Sequence, residues 1–171
     1  IGDNVKISKD AKIYDPQRIS IGSNSRIDDF CVLSGRISIG NYCHITPMCL
    51  IAGGLPGVFL DDFVTVAYGV KIFAQSDDYS GRSMVSSLIP AKYKNEYFSA
   101  VKIEKHVIIG ANATIMPGTK ISVGTAIGAM SLVLESTQPW SIYVGVPAIF
   151  IKTRHREIEK LEREFLNEHT I

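Results

Sequence analysis

The chain has 171 residues, 46% of them hydrophobic and 20% charged, with a formal net charge of +1. That length and apolar content suit one domain, or one domain with a terminal extension. The balanced charge gives no reason to expect nucleic acid or an anionic membrane as the main partner, and no apolar run approaches the roughly 18 residues of a membrane span.

From the first residue onward the chain keeps a six-residue ruler. It lands on Ile1, Ile7 and Ile13, then after a two-residue slip on Ile21, Ile27, Leu33, Ile39, Ile45 and Ile51. After a three-residue slip come Leu60, Val66 and Ile72, and after a long break Ile103, Ile109, Ile115, Ile121, Ile127 and Val133. All eighteen positions are aliphatic. Four residues after most of them stands a small or β-branched residue, among them Cys31, Cys43 and Cys49, which read as small core hydrophobes. Three cysteines are an odd number, which fits a reducing compartment, and no leader pattern is read at Ile1, so a cytoplasmic location is expected.

A period of six is neither helical nor a simple strand alternation; it is the signature of a parallel β-helix. Three hexads close one triangular coil of 18 residues, and stacked coils hydrogen-bond about 4.8 Å apart. Ile21, Ile39 and Leu60 should therefore form one inner ladder, Ile27, Ile45 and Val66 a second, and Leu33, Ile51 and Ile72 a third. Eighteen hexads predict about six coils, a solenoid held by contacts between neighbours.

The β-helix is expected over residues 1–152, interrupted by an inserted loop at 73–102 that is too long to be a plain connection. Residues 153–171 form a tail in which Ile158, Leu161, Phe165 and Leu166 make one apolar stripe among charges, the pattern of an amphipathic α-helix packing on the prism or on a neighbouring subunit.

The stretches "IIGANATIMPGTKI", "IGAMSLV" and "VGVPA" resemble the hexapeptide-repeat acyltransferases, and within them the sugar and xenobiotic acetyltransferases. The resemblance runs from Ile1 to about Lys152. It implies a left-handed β-helix, a homotrimer, acetyl-CoA as donor in the groove between adjacent prisms, and an acceptor entering beside the long loop. It places the pantetheine arm against Gly110, Ala111 and Ala129, and the donor phosphates near Lys152 and Arg154. The family's "GAGS" reads "GAMS" here, and Leu134 and Glu135 replace residues that are commonly polar.

In the sugar and antibiotic O-acetyltransferases a histidine about five residues beyond the last ruler position before the loop removes the acceptor proton. Here that place holds Asp77. Three explanations stay open. Asp77 or Asp78 is the base, although an ordinary carboxylate, near ~4, is a poor match for a hydroxyl proton. Alternatively His44, one residue before Ile45 and hence outward, has a suitable range. Or the acceptor is an amine, which needs less help.

Thr46 and Gly54 replace the Asn and Asp usual for galactoside acceptors, and Tyr79, Arg82, Tyr93 and Tyr97 in the loop are candidates for sugar contact. His106 at a corner of the fifth coil is a candidate to face the donor groove, while His155 and His169 in the tail are expected in solvent.

The expected activity is acetyl transfer from acetyl-CoA to a hydroxyl of a sugar or sugar-containing metabolite, such as a polysaccharide or lipopolysaccharide precursor. The alternative is N-acetylation of an amino sugar or nucleotide-linked amino sugar. A non-catalytic structural β-helix is the reading of another class. A zinc site of three histidines, as in carbonic anhydrases of this shape, is disfavoured because only His44 and His106 lie in the coils.

Overall fold

The computed structural model describes residues 1–168, so His169 lies outside the described residues. The chain winds as a left-handed parallel β-helix whose three faces are ladders of short parallel strands. The first face runs through Lys6–Ile7, Arg26–Ile27, His44–Ile45, Thr65–Val66, Ile108–Ile109, Ala126–Ile127 and Ser141–Val144. The second carries Lys12–Ile13, Lys71–Phe73, Thr114–Ile115 and Leu132–Val133, and the third Ile19–Ile21, Val101–Ile103 and Lys120–Ile121. Two longer strands, Val32–Ile39 and Leu50–Leu60, turn the corner from the second face to the third without a break.

The predicted ladders are the observed ones. Ile21 pairs with Ile39 and Ile39 with Leu60; Ile27 pairs with Ile45 and Ile45 with Val66; Leu33 pairs with Ile51 and Ile51 with Ile72. The stack continues across the inserted loop, with Ile103 beside Leu60, Ile109 beside Val66 and Ile115 beside Ile72. Fifteen of the eighteen ruler residues are buried, and the three that are not, Ile1, Ile7 and Ile13, belong to the first coil. Each buried aliphatic side chain contributes roughly 1.5–3 kcal/mol of transfer free energy. The three cysteines point into this core, and burial pushes the Cys43 thiol up to about 11.

One feature of the corners is not visible in the ruler. The residue three places after it takes a left-handed backbone conformation, with φ between 52 and 61° at Asn4, Asn24, Tyr42, Phe63 and His106. Bulky residues rarely adopt φ > 0. Here stacking offsets the strain. The rings of Tyr42 and Phe63 lie 4.9 Å apart and nearly parallel, and Phe63 and His106 lie 5.4 Å apart.

The end of the prism differs from the expected plan. Ser141–Val144 adds to the first face and then folds back on Ile149–Thr153 as an antiparallel hairpin. Among the described residues, the helix α1 spans only Ile158–Glu168 of the expected tail. It packs on its own prism: the Phe165 ring meets Tyr42 edge-on at 5.3 Å, and Glu162 accepts hydrogen bonds from Lys105 and His106. Leu161 stays 60% exposed, so the inward stripe is Ile158, Glu162, Phe165 and Leu166 rather than purely apolar. No helix among the described residues is long and apolar enough to cross a membrane.

Candidate functional site at the loop corner

Every departure from the six-residue ruler falls at one corner of the prism, between the second face and the third. The two-residue slip lies between Ile13 and Ile21, the three-residue slip between Ile51 and Leu60, and the long insertion between Ile72 and Ile103. Insertions confined to one side of a solenoid commonly mark its binding side.

The inserted loop is anchored before it projects. Gln75–Ser76 and Tyr97–Phe98 form a two-stranded antiparallel ladder at its neck. Between this neck and the corner lies an open cavity of about 350 Å³. Its floor is the side chains that follow the ruler residues, Ala52, Phe73 and Met116, and its polar lining is Gln75, Ser76, Asp77 and Glu96, with Tyr79 at the rim. Two carboxyl groups thus enter one cleft. Glu96 is ion-paired with Lys94 at 3.0 Å, whereas Asp77 is exposed.

Asp78 is placed otherwise. Its carboxylate accepts from the Ser80 backbone N–H at 2.8 Å and from the Ser83 hydroxyl at 2.7 Å. These bonds, the one from Ser83 first, hold its carboxyl below the usual range, which marks it as a turn-forming residue. Arg82 lies with Lys92 and Tyr93 on another part of the loop, away from the cleft that Asp77 lines.

Thr46 also departs from expectation. It is buried, and its hydroxyl donates to the Val66 carbonyl at 2.9 Å, so it braces two coils and does not face an acceptor. His44 does point outward, but on the first face. Its Nε2 lies 2.7 Å from Asp28, which also accepts from Arg26. Burial would raise the Asp28 carboxyl; the partners His44 and Arg26 outweigh it and keep it below its ordinary value. His44 and Asp77 are therefore not brought together within one chain.

Among the expected donor contacts, Gly110 sits where coils touch. Its N–H donates to the Ile127 carbonyl at 2.8 Å, and a Cβ there would come within 2.5 Å of the Ala129 nitrogen. Only glycine allows that approach. The Ala111 carbonyl is taken by the Met130 N–H at 2.8 Å, while Ala129 itself is exposed. Lys152 is exposed on the terminal hairpin.

Arg154 commits one guanidinium nitrogen to the fold. It donates to the carbonyls of His106 and Gly124, both at 2.9 Å, and burial pushes its pKa below the usual arginine value. His106 is likewise buried under α1, at the base of the groove it shares with Tyr42, Phe63 and Phe165, whereas the His155 side chain is 96% exposed. No group of three or more His, Cys, Asp or Glu among the described residues is arranged to hold a metal ion.

Residue type and spacing do not single out Glu96, Gln75 or Ser76 in the sequence. The usable signal is positional: they stand at the two ends of the one long break in the ruler.

Comparison with known proteins adds to this geometry. A family model described as bacterial transferase hexapeptide (six repeats) matches residues 18–53. The chain is 39% identical over 168 residues to the dTDP-4-amino-4,6-dideoxy-D-glucose acyltransferase of Escherichia coli, covering 96% of this chain and 87% of that protein. Among solved structures it matches AntD, an N-acyltransferase from Bacillus cereus, in complex with dTDP and 3-hydroxybutyryl-CoA. That match has a TM-score of 0.98 and 47% identity over 100% of this chain and 91% of the other. A serine-to-cysteine mutant of AntD with dTDP-4-amino-4,6-dideoxyglucose and coenzyme A matches with a TM-score of 0.96 and 48% identity over 98% and 89% of the two chains.

Proposed function

Since the chain belongs to the hexapeptide-repeat acyltransferases, we propose that it transfers an acyl group from acyl-CoA to the amine of a nucleotide-linked amino sugar. This replaces the hydroxyl acceptor first expected from the resemblance. The Escherichia coli relative and AntD, which match along nearly the whole chain, are named for amino-sugar and N-acyl transfer.

The observation that carries the reading is the loop-corner cleft, which offers the carboxylates of Asp77 and Glu96 and no histidine. A carboxylate is poorly matched to a hydroxyl proton but well matched to an amine. It attracts an ammonium group electrostatically. The ammonium first gives up one proton to solvent; once the resulting neutral amine has attacked the thioester carbonyl, the adduct nitrogen is positively charged and acidic. Asp77 then accepts its proton, the C–S bond breaks, and the thiolate of coenzyme A leaves and is reprotonated. Glu96, tied to Lys94, is left to orient the acceptor.

The acyl-CoA donor is assigned to the late coils, beside Ala111 and Ala129, with the exposed Lys152 as a point charge for its phosphates. Assembly of prisms side by side is supported by an exposed apolar column, Phe30, Met48, Tyr68 and Met130, along the corner between the first and second faces.

The test is a thiol-release assay with acetyl-CoA and longer acyl-CoA donors. Acceptors would be dTDP-linked 4-amino sugars, the matching 4-hydroxyl sugars and simple oligosaccharides. Turnover of the amino sugars alone is expected. Faster turnover of a hydroxyl acceptor would overturn the reading.

A further inference from the structure

The three irregular corners do more than frame the cleft of Asp77. The two-residue slip, "YDPQR", forms a short turn of 3-10 helix at Pro16–Arg18, and the three-residue slip, "GGLPG", is a bulge in the strand Leu50–Leu60. On the side of the bulge away from the cleft lies a second open depression of about 480 Å³, lined by Arg18, Ser20, Arg36, Ser38 and Phe59.

The bulge holds these residues in place. A Cβ on Gly53 would collide with the Arg36 carbonyl, and one on Gly57 would come within 2.8 Å of the Phe59 ring. The Arg36 guanidinium lies 5.2 Å over that ring. Arg18 reaches the Gly54 carbonyl at 3.5 Å, and Gly54 in turn lies against Gln75 of the Asp77 cleft. Gly54 thus touches one residue from each hollow.

The chemistry of the second hollow points to an anion. Among the described residues neither Arg18 nor Arg36 has a carboxylate within ion-pair distance. Ser20 donates to Ser38 at 3.1 Å, so the pair presents a hydroxyl ladder beside the two guanidinium groups. Planar guanidinium groups match phosphate oxygens in a bidentate manner, and no acidic residue lines the hollow to oppose a negative ligand.

We propose that Arg18 and Arg36 bind the diphosphate of the acceptor, so that the sugar crosses the bulge and delivers its amine to Asp77. The proposal rests on the nucleotide-linked acceptor proposed above and goes on to place its charged half. Coenzyme A also carries a diphosphate, and the kinetic arms separate the two sources.

The experiment compares wild type with Arg18→Gln, Arg36→Gln and the double variant. Each substrate is varied at saturation of the other, and a nucleotide-free methyl glycoside of the same amino sugar serves as a second acceptor. Loss of a charge-assisted contact to phosphate should raise KM for the nucleotide sugar about 10–100-fold per arginine. kcat, KM for acyl-CoA and activity on the glycoside should stay near wild type. Arg18→Lys should recover part of the loss, and unchanged melting temperatures would show that both exposed positions tolerate replacement.

An acceptor KM within twofold of wild type in the double variant overturns the proposal, as does a rise in KM for acyl-CoA instead. Wild-type enzyme that prefers the glycoside over the nucleotide sugar would refute the acceptor class itself, which is a separate and distinguishable result.

Discussion

Two corners of the same prism have opposite characters. The corner between the third face and the first keeps the six-residue ruler from Ile1 to Ile127 and stacks the rings of Tyr42, Phe63 and His106 at its central left-handed positions, which α1 then covers. The corner between the second face and the third breaks the ruler three times and leaves open hollows lined by Asp77 and Glu96 on one side and Arg18 and Arg36 on the other. Regularity here builds the scaffold, and irregularity placed on one edge builds the site. The coils stack without interruption beneath both corners, so insertions at one corner do not disturb the ladders that hold the fold.

The most severe test of this contrast is Asp77→Asn. It is nearly isosteric and sits in an exposed position, so stability should hold. Loss of the proton acceptor should lower kcat by on the order of 10²–10⁴-fold. Steady-state rates and a melting curve on the same preparation check both halves. A variant with near-normal turnover would show that the open corner is not the chemical one.

The second test exchanges the roles. Ile45→Ala removes a fully buried side chain between Ile27 and Val66 and should cost about 2–5 kcal/mol, read as a lower denaturant midpoint. Leu55→Ala, on the bulge and 71% exposed, should stay within about 0.5 kcal/mol. Equal effects at the two positions would contradict the division between scaffold and site.

Much of the scaffold is legible in the sequence because its rule is local and repeated. One aliphatic residue in six, read in register, predicts the three inner ladders of the coils, and Cys31, Cys43 and Cys49 fall inward as their place in the register requires. The site is less legible because it depends on which insertions share a corner. Asp77 stands at a diagnostic distance from Ile72, but Glu96 comes from the far end of the loop, and only the neck pairing of Gln75 with Phe98 brings it back. Arg154 misleads for a different reason. Its distance from "GVPA" suggests a surface cation, yet the hairpin Ser141–Thr153 turns the chain so that its guanidinium meets buried carbonyls.

That burial makes Arg154 the next lever. Arg154→Ala strands the carbonyls of His106 and Gly124 and should destabilise the covered corner by about 1–3 kcal/mol. Turnover of the amino sugar at temperatures well below unfolding should change far less than in Asp77→Asn. A collapse of activity without a fall in stability would place Arg154 in the chemistry and remove the contrast between corners.

The smallest effect concerns Glu162, which joins α1 to Lys105 and His106. Burial raises its carboxyl, but the bonds from Lys105 and His106 prevail and hold it below the ordinary glutamate value. A carboxyl depressed on folding adds stability that is complete above its unfolded value, about 4.3, and is lost as pH falls through the lower folded value. Asp28, Asp78 and Glu104 are depressed in the same direction elsewhere in the chain, so global acid unfolding would blend all four. Trp140 separates them. It is the sole tryptophan, its ring lies 6.4 Å from that of His106, and Arg156 caps it at 4.8 Å just before α1. Wild-type fluorescence should therefore report release of the tail below about pH 4, and Glu162→Gln should flatten that step while leaving the signal at neutral pH nearly unchanged. Superimposable acid titrations of the two proteins would mean that ring stacking alone, with no contribution from the carboxylate, holds α1 to the closed corner.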